Sequence, residues 1–186
     1  MRRGGVKRET RETSIVVSVA LDGSGRAAID TGVGFFDHML EQLARHGSFD
    51  LDISGQGDLQ VDAHHLAEDV GICLGRAFNE ALGEPVGITR YGHAVVPMDE
   101  ALGEAVVDIS GRPLLVFDAD FTRPQVGQLD TELVEEFWRA FAVNARVTLH
   151  LYLRRGRNAH HQVEALFKAA ARALRLAVQQ EGSGVP

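Results

Sequence analysis

The chain has 186 residues, 45% of them hydrophobic and 24% charged, with a formal net charge of -7. That is globular composition, enough for one domain or two small ones around a sizeable core. The acidic balance argues against the broad basic face that nucleic-acid binding requires, although Arg154, Arg155 and Arg157 make a local basic spot. A single cysteine, Cys73, excludes an intrachain disulfide framework and suits a reducing cytosol. It lies in an apolar helical stripe, which marks it as a small core residue. Met1 to Thr13 holds five arginines or lysines with no apolar run behind them, so it is not a secretory signal. No segment approaches the roughly eighteen apolar residues of a membrane span. These features predict a soluble, cytoplasmic protein.

In chain order, the β-branched run from Ser14 to Leu21 predicts a strand, and Asp22-Gly23-Ser24-Gly25 a turn. Arg26 to Asp30 is expected to return as the hairpin partner. Apolar residues at 35, 36, 39, 40 and 43 predict a helix from Phe35 to His46, ending at Gly47. Phe49, Leu51 and Ile53 alternate with polar residues and predict a half-buried strand. Asp62 is the expected N-cap of a second helix, whose stripe runs from Leu66 to Ala81 and stops at Gly83, before Pro85. Further strands are expected over 91–97, 105–109, 114–117 and 147–153, and helices over 129–145 and from Ala159 onward. The order strand hairpin, helix, strand, helix thus occurs twice, joined by residues 84–90. A single catalytic domain of two related halves, about 8–85 and 90–181, is expected.

The repeat extends to chemistry. His64-His65-Leu66-Ala67-Glu68 opens the second helix of the first half, and His160-His161-Gln162-Val163-Glu164 opens its counterpart. Residues four apart share a helix face, so His64 and Glu68, or His160 and Glu164, can approach one ion. Adjacent residues diverge by about 100° around the axis, so the two histidines of each pair point towards different ions. His38 lies 26 residues before His64, and Glu136 lies 24 before His160, each in the preceding helix. They are the natural additional ligands, one for each site. A lone histidine near a helix start is usually a cap or a solvated side chain. Two copies of the pattern at equivalent places favour metal binding. His46, His93 and His150 have no such support and read as structural. Imidazole and carboxylate donors without thiolate point to Mn, Fe, Co or Zn, with octahedral preference favouring Mn.

Several ordered motifs carry a family resemblance. They are Gly34-Phe35-Phe36-Asp37-His38-Met39-Leu40 with Gln42-Leu43 and His46-Gly47, then Asp62-x-His64-His65-x-x-Glu68-Asp69. Pro97-Met98-Asp99-Glu100-Ala101-Leu102 and Asp108-x-Ser110-Gly111-Arg112-Pro113 follow. Asn158-x-His160-His161-x-x-Glu164-Ala165-x-Phe167-Lys168-Ala169 completes the set. Over roughly residues 8 to 180 the chain closely resembles the imidazoleglycerol-phosphate dehydratases of histidine biosynthesis. The resemblance implies an α+β fold of duplicated half-units like the second domain of ribosomal protein S5, with mixed sheets packed on helices. It also implies two manganese ions per active site and a homo-oligomer of 24 chains with sites at subunit interfaces.

The reaction so implied is dehydration of D-erythro-imidazole glycerol phosphate to imidazole acetol phosphate. Two ions on the ring nitrogens would hold the ring as a metal-bound imidazolate, since coordination favours deprotonation. Expulsion of the hydroxyl would then give a diazafulvene-like intermediate, with the ions acting as Lewis acids and template. The resemblance puts Glu164, Glu12 from a neighbouring chain, and His38 near the proton transfers. It implies His38, His64, His65, Glu68, Glu136, His160, His161 and Glu164 as metal ligands. It assigns substrate contacts to Arg90, Arg112, Lys168, Gln42 and Asp99. Lys168 is also one turn past Glu164, a spacing that suits a helix salt bridge, and Arg112 sits at a turn where arginine is often only solvated. Glu136 stands where many members have histidine. Family chains also usually continue past Val-Pro with a Ser-Thr-Lys-Gly-like tail that helps bind phosphate. A two-metal phosphatase and a non-catalytic metal-storage shell are the rival readings. The first would hold its ions closer around a shared carboxylate, and the second leaves the arginine and lysine positions without a purpose.

Overall fold

Period-two burial builds the sheets. In β2 (Thr13–Ala20), Ile15, Val17 and Val19 are buried while Val16 and Ser18 face outward. The computed structural model describes residues 1–182 and 184. The other first-half elements are β1 (Arg3–Glu9), β3 (Ala27–Asp30), α1 (Gly34–Gly47), β4 (Asp50–Gly57) and α2 (His64–Leu82). The second half holds β5 (Tyr91–Met98), β6 (Ala101–Asp108), β7 (Leu114–Asp118), β8 (Gln125–Val126), β9 (Leu129–Asp130), α3 (Glu132–Ala145), β10 (Thr148–Arg155) and α4 (Ala159–Ala177).

The two four-stranded sheets have equivalent orders, β1-β2-β4-β3 and β5-β6-β10-β7. In each, the last-named edge strand runs parallel to its neighbour and the other pairings are antiparallel. The parallel pairs are reached through helical crossovers, α1 in the first sheet and α3 in the second. α1 and α2 lie on the first sheet, α3 and α4 on the second, and the helix layers meet with α2 against α3 and α1 against α4. Sheets are therefore outside and helices between, the expected α+β class with mixed sheets packed on helices.

The helix layers share one core. Phe36, Phe49, Phe78, Phe137, Trp138, Phe141 and Phe167 are all buried. Trp138 lies 4.9 Å from Phe167 and 5.0 Å from Phe137, centroid to centroid. α2 crosses α3 closely at Gly71 and Gly75, where a Cβ would stand 2.6 Å from the carbonyl oxygens of Phe137 and Phe141 respectively.

Three expectations are corrected. Arg26 to Asp30 does not close a hairpin on β2. The Asp50 carboxylate accepts from the Ser24 and Arg26 amides at 2.8 and 3.1 Å, which fixes the segment beside β4, where β3 pairs in parallel. The hairpin partner of β2 is β1, within a stretch read only as a charged N-terminus. Its exposed charges mask the alternation, as is common on edge strands. The helix expected from Leu129 begins at Glu132, because Leu129 and Asp130 pair with β8.

Candidate metal centre

The helices that carry the candidate ligands are held at their first turns. The Asn158 side chain accepts from the amides of His160 and His161 at 2.9 and 3.4 Å. At α2 the Asp62 carboxylate accepts from the His64 amide at 2.8 Å, but the N-cap is Ala63, which makes no side-chain cap hydrogen bond, so the expected Asp62 cap is corrected by one residue.

On α4, His160 Nε2 lies 3.0 Å from Glu164 Oε2, as residues four apart on one face should. His38 on α1 meets them across the helix layers, its Nε2 3.5 Å from the same oxygen. One donor atom from each of the three lies within 4.8 Å of the others. Two donors at right angles on an ion with bonds of about 2.1 Å stand about 3 Å apart, so the set fits a divalent transition ion. Glu164 is buried, and burial works to raise its pKa. The Lys168 ammonium at 2.6 Å, with His160 and His38, outweighs that and holds the carboxyl below its ordinary value. Glu164 is thus an ionised carboxylate ready to ligate. Gln42 approaches His38 Nδ1 at 3.5 Å, and the Phe35 ring packs on His160 with its centroid 4.9 Å away.

The second histidine of each pair leans on a carboxylate. His161 Nδ1 is 2.8 Å from Glu100, and His65 Nδ1 is 3.0 Å from Asp58. In a neutral ring with Nδ1–H donating, Nε2 is left as the metal donor, the arrangement of carboxylate–histidine–metal sites. Glu100 also accepts from the amides of Arg157 and Asn158, and with the His161 hydrogen bond foremost its pKa falls to about 2. The same bond raises the pKa of His161, and Asp58 raises that of His65. A cleft of about 550 Å³ opens at the start of α4, lined by Asp99, Glu100, Arg123, Arg157, His160 and His161 among others.

The remaining predicted site residues are dispersed. His64 and Glu68 are half-buried near the start of α2, and Glu136 lies on α3, 3.8 Å from Arg139. Among the described residues no other group of three ligand atoms forms. Lys168 pairs with Glu164 and approaches Met98 Sδ at 3.4 Å, so the helix salt bridge allowed by its spacing is present. Arg90 and Arg112 converge on Asp108, at 2.8 and 3.5 Å. Asp99 is exposed with an oxygen 3.8 Å from His161 Nε2, and Glu12 is exposed in the β1–β2 turn. Cys73 is fully buried with its thiol pushed up to about 11, inert as expected. His150 bonds Tyr152 at 2.9 Å and His93 is exposed on the sheet, while burial and nearby Lys168 lower the pKa of His46. Val185 and Pro186, where the expected tail would attach, lie outside the described residues. Sequence reasoning missed Asp58 and gave Glu100 no role. Asp58 precedes its helix, so no helical spacing links it to His65.

The family model described as imidazoleglycerol-phosphate dehydratase matches residues 31–174. The chain belongs to that family. The imidazoleglycerol-phosphate dehydratase of Gluconacetobacter diazotrophicus is 59% identical over 95% of this chain and 89% of its own length. That of Methylobacillus flagellatus is 56% identical, over 96% and 90%. The crystal structure of the Staphylococcus aureus enzyme superposes with a TM-score of 0.87 at 43% identity, over 96% of this chain and 99% of that one. The Pyrococcus furiosus enzyme, crystallised with (S)-C348, gives 0.83 at 38%, over 97% and 100%. Family membership makes the chain a hydro-lyase of histidine biosynthesis. No helix among the described residues is long and apolar enough to cross a membrane.

Proposed function

We propose that this chain dehydrates D-erythro-imidazole glycerol phosphate to imidazole acetol phosphate in the cytoplasm, using two divalent ions, preferably manganese, in each active site. The observation that carries the reading is the His38–His160–Glu164 group, three donors at ligand spacing around a buried ionised carboxylate. His64, His65, Glu68, Glu136 and His161 supply the further ligands, and the halves at about 8–85 and 90–181 each contribute one His-His-x-x-Glu helix to one catalytic domain.

Held by these residues, the ions would supply the Lewis acidity that eases loss of the substrate's ring proton. Electrons from the deprotonated ring then expel the hydroxyl on the adjacent carbon, giving a diazafulvene-like species. Removal of the proton from the next carbon yields an enol, which tautomerises to the ketone, and the hydroxyl and a proton leave as water. Glu164 and Glu12 are the carboxylates for this proton transfer, assisted by His38. Gln42 orients His38 and the ring, and Asp99 contacts the substrate at the mouth of the cleft. Arg90, Arg112 and Lys168 bind the phosphate.

The sheet register supports sites shared between chains. Arg90 adjoins Tyr91, which is paired with Asp108, whereas Lys168 touches Met98, at the other end of β5. Seven residue steps of strand separate these ends by ~23 Å. One small phosphate cannot reach both within a single chain, and neither does one chain complete two ligand sets. A homo-oligomer of 24 chains with interfacial sites answers both requirements.

The test strips the protein with chelator, reloads it with manganese and follows ketone formation from the substrate. Manganese-dependent turnover, abolished by His65→Ala or Glu164→Gln, is expected. Phosphate release without dehydration would favour a hydrolase, and failure to bind any divalent ion would overturn the reading.

A further inference from the structure

The β1–β2 turn that carries Glu12 is tied to α2 by a buried polar chain. Asp69 follows the ligand Glu68, is buried, and accepts from the Thr13 hydroxyl and from Arg8 Nε, the latter at 2.9 Å. Thr13 Oγ1 lies 3.1 Å from Thr10 Oγ1. Thr10 Oγ1 in turn accepts from the amides of Glu12 and Thr13 at 3.1 and 2.9 Å. The chain therefore ends on the Glu12 backbone. The Glu12 carboxylate forms no hydrogen bond or ion pair among the described residues, yet lies close enough to His65 to help raise its pKa.

The other half is built differently. The position matching Asp69 is Ala165, which packs where an added Gly103 Cβ would meet its carbonyl at 2.7 Å. The matching turn, Asp99-Glu100, is anchored by the Glu100 carboxylate itself on His161 and two amides. One turn thus consumes its carboxylate as the anchor. The other is anchored through its backbone, which leaves the carboxylate unoccupied. Asp69 is paired on both oxygens, by Arg8 and by Thr13, so what sets it apart from the repeat is where its hydrogen bonds lead, to the backbone of Glu12.

We propose that Asp69, acting through Thr13 and Thr10, is a positioning residue that aims the Glu12 carboxylate at the reacting centre. This rests on the reading that Glu12 takes part in proton transfer. The experiment compares Glu12→Gln, Asp69→Asn, Thr10→Val and Thr10→Ser, with Glu12→Gln combined with each of the others, in the manganese-loaded full chain. Asp69→Asn and Thr10→Val are expected to lower kcat by about 10- to 100-fold with KM and bound manganese unchanged, because misplacement of a reacting group acts on the chemical step. Thr10→Ser, which keeps the hydroxyl, restores kcat. In the Glu12→Gln background neither change lowers kcat further. Losses that multiply with that of Glu12→Gln, or that appear in KM or metal content, would overturn the proposal. Should Asp69→Asn fail to fold, Thr10→Val, at the half-exposed end of the chain, decides the matter alone. A fully active Glu12→Gln single variant would sink the Glu12 reading and this inference with it, a result distinct from multiplicative losses.

Discussion

Glu164, the one carboxylate of α4, gathers three cationic or ligating partners within 3.5 Å, Lys168, His160 and His38. Asp58 and Glu100 act one step further out, each gripping the Nδ1 of a histidine. Such outer carboxylates typically govern metal affinity by 10–100-fold. Asp58→Ala and Glu100→Ala should therefore weaken manganese binding by about that factor while the fold survives, as read by metal titration and melting curves. Asp50 offers a separate test of pH dependence. The Ser24 and Arg26 amides, with the Arg26 guanidinium, pull its pKa from 3.8 to about 2. A depressed folded-state pKa adds stability that is complete well above 3.8 and is lost as pH falls through 2. Asp50→Asn should thus lower the melting temperature at neutral pH, and the gap from the parent should narrow between about pH 4 and 2. An unchanged gap across that window would refute the account.

Helices declared themselves in the sequence because their apolar stripes recur every three to four residues, as in the run from Leu66 to Phe78, and because Gly47 and Gly83 end two of them. Strand pairing did not, since alternation says which face is buried but not which neighbour lies alongside. β1 was obscured by its charges and β3 by a turn whose anchor, Asp50, lies 24 residues beyond Arg26. Nor does spacing reveal why Gly71 and Gly75 sit on the α2 stripe. They admit the α3 backbone, with Phe137 and Phe141 carbonyls 2.6 Å from where a Cβ would stand. Gly71→Val or Gly75→Val should accordingly part the two helices and destabilise the protein by about 1–3 kcal/mol or more, measurable by denaturant unfolding. The same change at Gly34, which has open space around it, should cost much less.

Across the whole molecule, the candidate ligands stand out in the sequence as a repeated pattern, but the grouping of three of them does not. Sequence order sets His38 beside its own half's His64, whereas the fold sets it against His160 and Glu164 of the other half. Packing of the helix layers decides this, and no local spacing encodes it. The separation of Arg90 and Arg112 from Lys168 along β5 was equally invisible without register. If sites draw residues from different chains, two inactive variants should complement each other. Arg112→Ala and Glu164→Gln, each inert alone, should regain partial turnover when co-expressed or unfolded and refolded together. No recovery in verified mixed assemblies would mean that both residues serve one site from one chain.

The meeting of His38 with His160 and Glu164 joins the two halves of the polypeptide where α1 packs on α4. An ion seated there acts as a rivet between layers, so its binding free energy adds to the adhesion of α1 on α4. Among the described residues the α2–α3 seam gathers no group of three ligand atoms and is held by close backbone approach and by the hydrogen bond from Arg76 Nε to Asn144 Oδ1 at 3.1 Å. Loss of an ion from the His38–His160–Glu164 group would therefore loosen α1 from α4, like a hinge with its pin drawn.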